Sequence, residues 1–292
     1  MITLDKNREY VKNYNAISND VKFVSNSLIR LKVLKALYEK PLNMKDLATS
    51  TKLSYSSISS TLHRLELKDM VFRKSNKYHL ENLLKLQMKN ILELDTKRVK
   101  EYGLDLKVAL GIHPTNSNVN PDGIFEKLYE WIDKKEIIAI GEIGLEDLTE
   151  NEMEIFKKQL DIASETESKV IIHTPRKNKR DVLKVILDTV PQHIDENQAV
   201  IDHINPQVIC DVIDTDCMLG LTVQPQKMDK FEAISILDEY GFDKFLLNSD
   251  ISNKPSDPLS VPKTIRELTK QGYDKNEIKK VEYLNARKFF KI

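Results

Sequence analysis

The sequence predicts two unlike parts in one chain: a small module of helices closed by a hairpin, then a larger α/β domain built on a parallel sheet. Three observations carry the prediction. Apolar residues first recur at helical steps of three and four, and from Leu104 onward they recur as short runs separated by amphipathic stretches. The chain has 292 residues, more than one typical domain of about 100–200. Charge is divided along the same line: through Asp95 there are 17 basic and 10 acidic residues, and the remainder holds 28 basic and 35 acidic, in a chain that is neutral as a whole. A basic module joined to an acidic domain suggests that the first part faces nucleic acid.

Composition narrows the class further. With 40% hydrophobic and 31% charged residues the chain suits a folded, soluble protein. No apolar run approaches the roughly 18 residues of a spanning helix, and the opening residues Met1 to Glu9 lack the apolar core of a secretion signal. Two cysteines, Cys210 and Cys217, do not make a disulfide framework and fit a reducing compartment. A cytoplasmic protein without membrane contact is expected. Both cysteines are expected to be structural, since neither lies at a strand end.

In the first part, Val24, Leu28, Leu31, Leu34 and Leu37, with Ile29 and Val33 beside them, define one face of a helix that ends ahead of Pro41. Asn43 can cap a second helix over 44–51, with Leu47 and Ala48 inward. Ser54 can cap a third, running to about Lys68. On it Tyr55, Ile58, Leu62 and Leu65 are expected in the core. Residues 70–80 then read as strand, polar turn, strand. This order is that of a winged helix-turn-helix. The opposite side of the third helix carries Ser56, Ser57, Ser60, His63 and Arg64, which suit bases and phosphates of a major groove. Arg73, Lys74 and Lys77 sit at the hairpin turn, where a wing meets backbone phosphates. A protein-contact face is the alternative use of the same surface. Residues 21–80 resemble the winged-helix transcription regulators common in archaea, on the stretches Ser27-Leu-Ile-Arg-Leu-Lys-Val-Leu-Lys-Ala-Leu37, Leu53-Ser-Tyr-Ser-Ser-Ile-Ser-Ser-Thr-Leu-His-Arg-Leu65 and Lys77-Tyr-His-Leu80. The resemblance implies double-stranded DNA as partner. Leu83, Leu84, Leu86, Met88, Ile91, Leu92 and Leu94 continue as an apolar helix, suited to dimerisation or to packing on the next domain.

In the second part, strands are expected at 106–112, 137–141, 170–172, 199–202, 218–223 and 245–248, with helices at 124–134, 152–167 and 179–190 between them. Alternation of this kind means parallel sheet. The ends of the strands carry His113, Glu142, His173 with Arg176, His203 and Asp250. Groups at the C-terminal ends of parallel strands converge on one mouth. Histidines and carboxylates together suit zinc, manganese or a similar divalent ion, which can turn bound water into a nucleophile near neutral pH. Trp131 is expected to pack a helix on the sheet, and His193 to lie in a surface loop.

The motifs Val108-Ala-Leu-Gly-Ile-His-Pro114, Ala139-Ile-Gly-Glu-Ile-Gly-Leu-Glu146, Val170-Ile-Ile-His-Thr-Pro-Arg-Lys-Asn-Lys179, Val200-Ile-Asp-His203, Gly220-Leu-Thr-Val-Gln-Pro225, Leu247-Asn-Ser-Asp250, Ser256-Asp-Pro-Leu-Ser-Val-Pro262 and Asn285-Ala-Arg287 carry a second resemblance. From about Leu86 to Ile292 the chain resembles TatD-related metal-dependent hydrolases, in the amidohydrolase superfamily of (β/α)8 barrels, and most of all their archaeal branch. The resemblance implies Glu142 as a carboxylate between two metals, His173 and His203 as ligands, and Asp250 as a ligand that helps activate water. It implies substrate contacts for His113 and Arg176, a cofactor of zinc, manganese or magnesium, and a phosphodiester substrate such as DNA. The chain departs from the family in one respect. The family's first strand ends in His-x-His, and none of the six histidines here stands two residues from another. The fold expected is therefore an incomplete (β/α)8 TIM-type barrel over 104–292, preceded by a winged helix-turn-helix over 1–82 and a connecting helix over 83–103. One metal ion, or at most two, is expected. The open sheet edges require cover from the connecting helix, the winged helix or a second subunit in a homodimer. Two functions stay open: a DNA-guided hydrolase, or a DNA-binding regulator whose degenerate barrel senses a metal or ligand or dimerises without catalysis.

Overall fold

The computed structural model describes residues 23, 26–68, 70–80, 85, 88–89, 91–118, 121, 123–251 and 256–292. Backbone contacts divide the chain into two units, residues 1–86 and 87–292.

The first unit has helices α1 (Leu28–Glu39), α2 (Met44–Thr51) and α3 (Tyr55–Glu66), followed by the antiparallel hairpin β1 (Val71–Lys74) and β2 (Lys77–Leu80). Each helix begins at a side-chain cap: Ser27 accepts from the Arg30 amide, Asn43 from Asp46 and Ser54 from Ser57. The hairpin turns through Ser75 and Asn76, both at positive φ (49° and 61°), the tight turn whose twist matches paired strands. Leu42 pairs with Tyr78 through backbone bonds of 3.1 and 2.8 Å and ties the α1–α2 link to β2. The core is Val33, Leu37, Leu42, Leu47, Ile58, Leu62, Leu65 and Val71.

Two expectations are corrected here. Tyr55 is 54% exposed, because at the first helical position it lies outside the stack of Ile58, Leu62 and Leu65. Of the face expected on the first helix, Val33 and Leu37 are buried, but Leu28, Ile29 and Leu31 are exposed; the stripe that packs on α3 runs through Val33 and Leu37 instead. Val24 lies outside the described residues.

The second unit is α/β. Its sheet comprises β3 (Ala109–Leu110), β4 (Ala139–Gly144), β5 (Lys169–His173), β6 (Ala199–Ile201), β7 (Met218–Thr222) and β8 (Phe245–Asn248), all parallel and in sequential order. The six strands are those the apolar runs predict. Among the described residues no pairing joins β8 back to β3, so the sheet is an open arc. Among the described residues the unit also has helices α4 (Thr96–Lys100), α5 (Ile124–Asp133), α6 (Glu150–Glu165), α7 (Lys179–His193), α8 (Ile209–Val212), α9 (Lys230–Tyr240), α10 (Ser260–Gln271), α11 (Lys275–Lys279) and α12 (Asn285–Phe290). No helix among the described residues is long and apolar enough to cross a membrane.

Both edges of the arc are tied down. Near β3, Leu92 and Thr96 line one cavity with Leu106, Val108 and Trp131. That places the helical segment 91–100 beside the edge strand; Leu83, Leu84 and Leu86 lie outside the described residues. The buried Gln159 of α6 accepts from the Ile112 amide (2.6 Å) and donates to the Ile112 carbonyl (3.1 Å). It thereby satisfies the backbone just ahead of His113, where the ladder has ended. At the other edge the buried Asn285 donates to the carbonyls of Phe242 (2.8 Å) and Phe245 (2.9 Å), anchoring the C-terminal helices to β8. Trp131 is buried, as expected. His193 is not in a loop: it ends α7, where its Nδ1 meets Asp161 at 2.7 Å.

Candidate metal centre

Glu142 stands in β4 where the register with β5 shifts between Ile140 and Ile143. Such a bulge re-aims a side chain at the end of a strand. Three histidines surround the carboxylate. His203 Nε2 lies 2.8 Å and His173 Nδ1 3.3 Å from the same oxygen, Oε1, and His113 Nε2 lies 3.9 Å from Oε2. The rings are 4.5 Å (His113–His173) and 5.1 Å (His173–His203) apart, both edge-on. Two groups of metal-competent atoms result, each with all atoms within 4.8 Å: His113, Glu142 and His173, and Glu142, Asp202 and His203. Glu142 belongs to both.

The histidines are oriented from behind. His173 Nε2 is held by Glu146 Oε2 at 2.7 Å, and Glu146 is positioned in turn because Glu152 accepts from the amides of Glu146 and Asp147. His203 Nδ1 meets the Thr222 hydroxyl at 2.7 Å and Asp202 Oδ2 at 3.5 Å. Asp202 also accepts from the His203 amide and from Asn248, both at 2.8 Å. Each histidine therefore turns one nitrogen toward Glu142 while the other is fixed, the arrangement that sets tautomer and aim in metal sites. His203 has φ 63°, a strained value for a non-glycine residue. Two glycines make room: a Cβ on Gly220 would lie 2.0 Å from Asp202 Oδ1, and one on Gly144, at φ 136°, 2.5 Å from the His173 carbonyl.

Electrostatics follow from this packing. Burial raises the affinity of Glu142 for a proton, but hydrogen bonds from His173 and His203 outweigh it and hold the carboxyl well below its usual range. His173 moves the other way: burial opposes its charge, yet Glu142 and Glu146 raise its pKa. Burial, with His173 adding to it, lowers His113 to about 4, so it is neutral at pH 7. Its Nδ1 accepts from the Thr115 amide at 3.2 Å, which leaves the proton on Nε2, toward Glu142 and the mouth.

Asp250 joins neither group. Its Oδ2 pairs with Lys227 at 2.7 Å and accepts from Gln224 at 3.2 Å, while Gln224 also donates to its backbone carbonyl at 2.6 Å. Gln224 in turn accepts from Arg176 at 3.0 Å. Lys179 lies beyond, donating to the Thr174 hydroxyl (2.6 Å) and to the His203 carbonyl (3.0 Å). Burial, then the nearby Lys227, lowers its pKa to about 8. Sequence reasoning passed over Glu146, Asp202, Lys179 and Lys227, although all but Lys227 stand inside the motifs quoted above. In the first unit Ser56, Ser60, His63, Arg64, Arg73, Lys74 and Lys77 are exposed and Ser57 is half-buried. Ser54 shares its hydroxyl with Ser56 and Ser57, and Arg73 donates to Asn76.

The donor set fits a divalent ion. In each of the two groups Glu142 is joined by an imidazole, His173 in one and His203 in the other, whose second nitrogen is satisfied. Fold and site together define a metal-dependent hydrolase architecture, and similarity to known proteins agrees. The profile described as TatD related DNase matches residues 56–291. An uncharacterized metal-dependent hydrolase of Methanocaldococcus jannaschii is 37% identical over 204 residues, covering 69% of this chain and 80% of the relative. A second from that organism is 28% identical over 200 residues, 66% of this chain and 78% of the relative. The crystal structure of the TatD-like protein from Archaeoglobus fulgidus shares 31% identity at a TM-score of 0.59, over 72% of this chain and 82% of that one. The chain belongs to the TatD-related family of metal-dependent hydrolases.

Proposed function

We propose that the chain hydrolyses phosphodiesters, DNA among them, with one divalent ion held by Glu142, His173 and His203. The observation that carries the reading is the convergence of His203 Nε2 and His173 Nδ1 on one oxygen of Glu142, at 2.8 and 3.3 Å. When bound there, zinc, manganese or magnesium supplies a polarised phosphoryl oxygen and a water made acidic. The chain's own groups do the remainder. Glu146 and Thr222 hold His173 and His203 in register. His113, neutral with its proton on Nε2, offers a hydrogen bond to an oxygen of the substrate, and Arg176 offers a charge at the rim.

The first unit is proposed to be a winged helix over about 1–82 that brings the hydrolase to double-stranded DNA in the cytoplasm, through His63 and Arg64 on α3 and Arg73, Lys74 and Lys77 on the hairpin. Support comes from the capped helices, the tight hairpin and the exposure of these cations. Residues 83–103 serve as the connector to the barrel-derived unit over 104–292. A homodimer, in which a second copy covers an open edge of the sheet, belongs to the same proposal.

The test is turnover of a generic phosphodiester with added manganese or zinc. Glu142→Ala is expected to lower it on the order of 1,000-fold, since loss of an ion's charge stabilisation is worth several kcal/mol. Turnover unchanged by the substitution sinks the hydrolase reading. Duplex retention that does not weaken with salt, or is unaffected by Arg64→Ala with Lys74→Ala, sinks the DNA-binding reading.

A second reading has its own observation. Asp250 is already neutralised by Lys227, and no His-x-His is present. A regulator that binds DNA and senses a metal without catalysis needs no more than this. It predicts metal-dependent DNA affinity and no turnover.

A further inference from the structure

We propose that the cavity between the β7–α9 loop and the start of α10 is a base pocket, which takes one nucleobase of the diester and reads it through the Ser260 hydroxyl. The inference deepens the phosphodiesterase reading and rests on it for the diester. The pocket itself rests on three observations.

The first is place. The chain after β7 turns back on itself: Gln224 and Met228 exchange backbone bonds of 3.1 and 3.3 Å, and Gln226 at the bend has φ 71°. This loop and the start of α10 enclose ≈460 Å³, within the range of about 300–1,000 Å³ usual for small-molecule sites. Val223, Pro225 and Met228 supply apolar wall, and a methionine beside a flat ring is a favourable contact. Gln226, Lys227 and Met228 also wall a smaller cavity bounded by His203 and Thr222. A diester lying across these three residues has its phosphorus toward the histidines and one substituent in the larger cavity.

The second is charge. Three lysines line the cavity, and each is already paired: Lys227 with Asp250 (2.7 Å), Lys230 with Glu267 (2.7 Å) and Lys263 with Asp257 (2.5 Å). Asp229 and Glu232 also belong to the wall. Each spends one oxygen on the first turn of α9: Asp229 Oδ1 accepts from the Phe231 and Glu232 amides, and Glu232 Oε2 from the Asp229 amide. Their second oxygens can still accept. Such a wall repels phosphate and suits an uncharged ring that carries N–H groups on its edge. A nucleobase is that ring, and pockets for single bases combine apolar faces with hydrogen bonds to the base edge.

The third is an unanswered hydroxyl. Ser260 lines the cavity and is 5% exposed, and its Oγ has no hydrogen-bond partner among the described residues. Thr264, one turn on, does not share this state: its hydroxyl donates to the Ser260 carbonyl at 2.9 Å. A buried hydroxyl left unpaired costs stability. A ligand in the cavity removes that cost, because the hydroxyl can donate to a ring nitrogen or carbonyl oxygen of a base and accept from its N–H.

Saturation-transfer NMR with thymidine, a nucleoside without phosphate, tests this on the full chain stripped with a chelator. Transfer to the base protons is expected, and none to deoxyribose alone. Ser260→Ala should weaken thymidine about three- to tenfold, the worth of one hydrogen bond. Its unfolding midpoint in urea should stay equal or rise, because the substitution removes a buried, unpaired hydroxyl. A merely structural serine gives the opposite result, with binding unchanged and the midpoint lowered. Glu142→Gln should leave thymidine binding as it is, since the pocket does not depend on the ion. Thymidine that does not bind, binds no better than deoxyribose, or binds equally to Ser260→Ala overturns the pocket. Turnover of a generic phosphodiester that is lost in Glu142→Ala leaves the hydrolase reading standing through that failure. Thymidine binding that follows Ser260 in a chain that turns over no phosphodiester supports the pocket and removes the hydrolase reading instead.

Discussion

At the ends of β4, β5 and β6 a carboxylate meets imidazoles; at the ends of β7 and β8 a carboxylate meets an ammonium. Glu142 is shared by His173 and His203 with a neutral His113 alongside. Asp250 is closed by Lys227 and Gln224. Both are acidic groups at strand ends of one sheet, and from sequence they look equivalent. Their partners separate them. Imidazoles can give up their protons and become ligands beside Glu142, whereas an ammonium has no lone pair and completes Asp250 as it stands. One side of the mouth thus offers donor groups of the kind a cation needs, and the other already contains an ammonium.

The comparison can be broken most sharply through the groups behind the histidines. Glu146→Gln removes the charged partner of His173 without touching Glu142, and metal affinity is expected to fall about 10–100-fold; competition against a chelating dye measures it, and an unchanged affinity would mean that Glu146 orients nothing. Gly220→Ala attacks the support of His203. The added Cβ would stand 2.0 Å from Asp202 Oδ1, so the chain should lose about 1–3 kcal/mol in a urea titration, and metal affinity should drop with it. On the other side Asp250→Asn should leave metal content unchanged and cost only about 1–2 kcal/mol, because the pair with Lys227 is partly open to water, its side chains 11% and 24% exposed. Loss of metal in Asp250→Asn would erase the distinction between the two sides.

The smallest effect expected is on the cysteines. Cys210 is exposed and Cys217 buried, and burial pushes the Cys217 thiol up to about 12. At pH 8 one thiol per chain should react with a disulfide reagent, and the second only in denaturant. The sign for stability is the matching one. Folding favours the protonated Cys217, so its contribution is present below the unfolded value and lost as pH rises from about 9 toward about 12.

Much of this architecture is legible in the residues. Apolar runs flanked by polar strand ends located all six strands of the arc, since a buried parallel strand must be apolar along its length. Glu142, His173 and His203 could be singled out for the same reason: they interrupt such runs where the strands end. The roles of Glu146, Asp202, Lys179 and Lys227 were not legible. Each acts through a contact made across the sheet by a loop or a helix start, at separations that no local pattern encodes. Asp250 shows the limit best. Its motif announces a ligand, and only the folded chain shows Lys227, 23 positions earlier in the sequence, already seated on it. Tyr55 has the phase of the core by spacing but not its depth, because it is the first residue of its helix.

The central claim is that Glu142, His173 and His203 hold a divalent ion. Elemental mass spectrometry of the full chain purified without chelators, beside a His173→Ala, His203→Ala variant, tests it most directly. About one metal per chain in the parent and none in the variant is the result expected of a three-ligand site with one open position. No metal in either protein after zinc, manganese or magnesium has been supplied would contradict it.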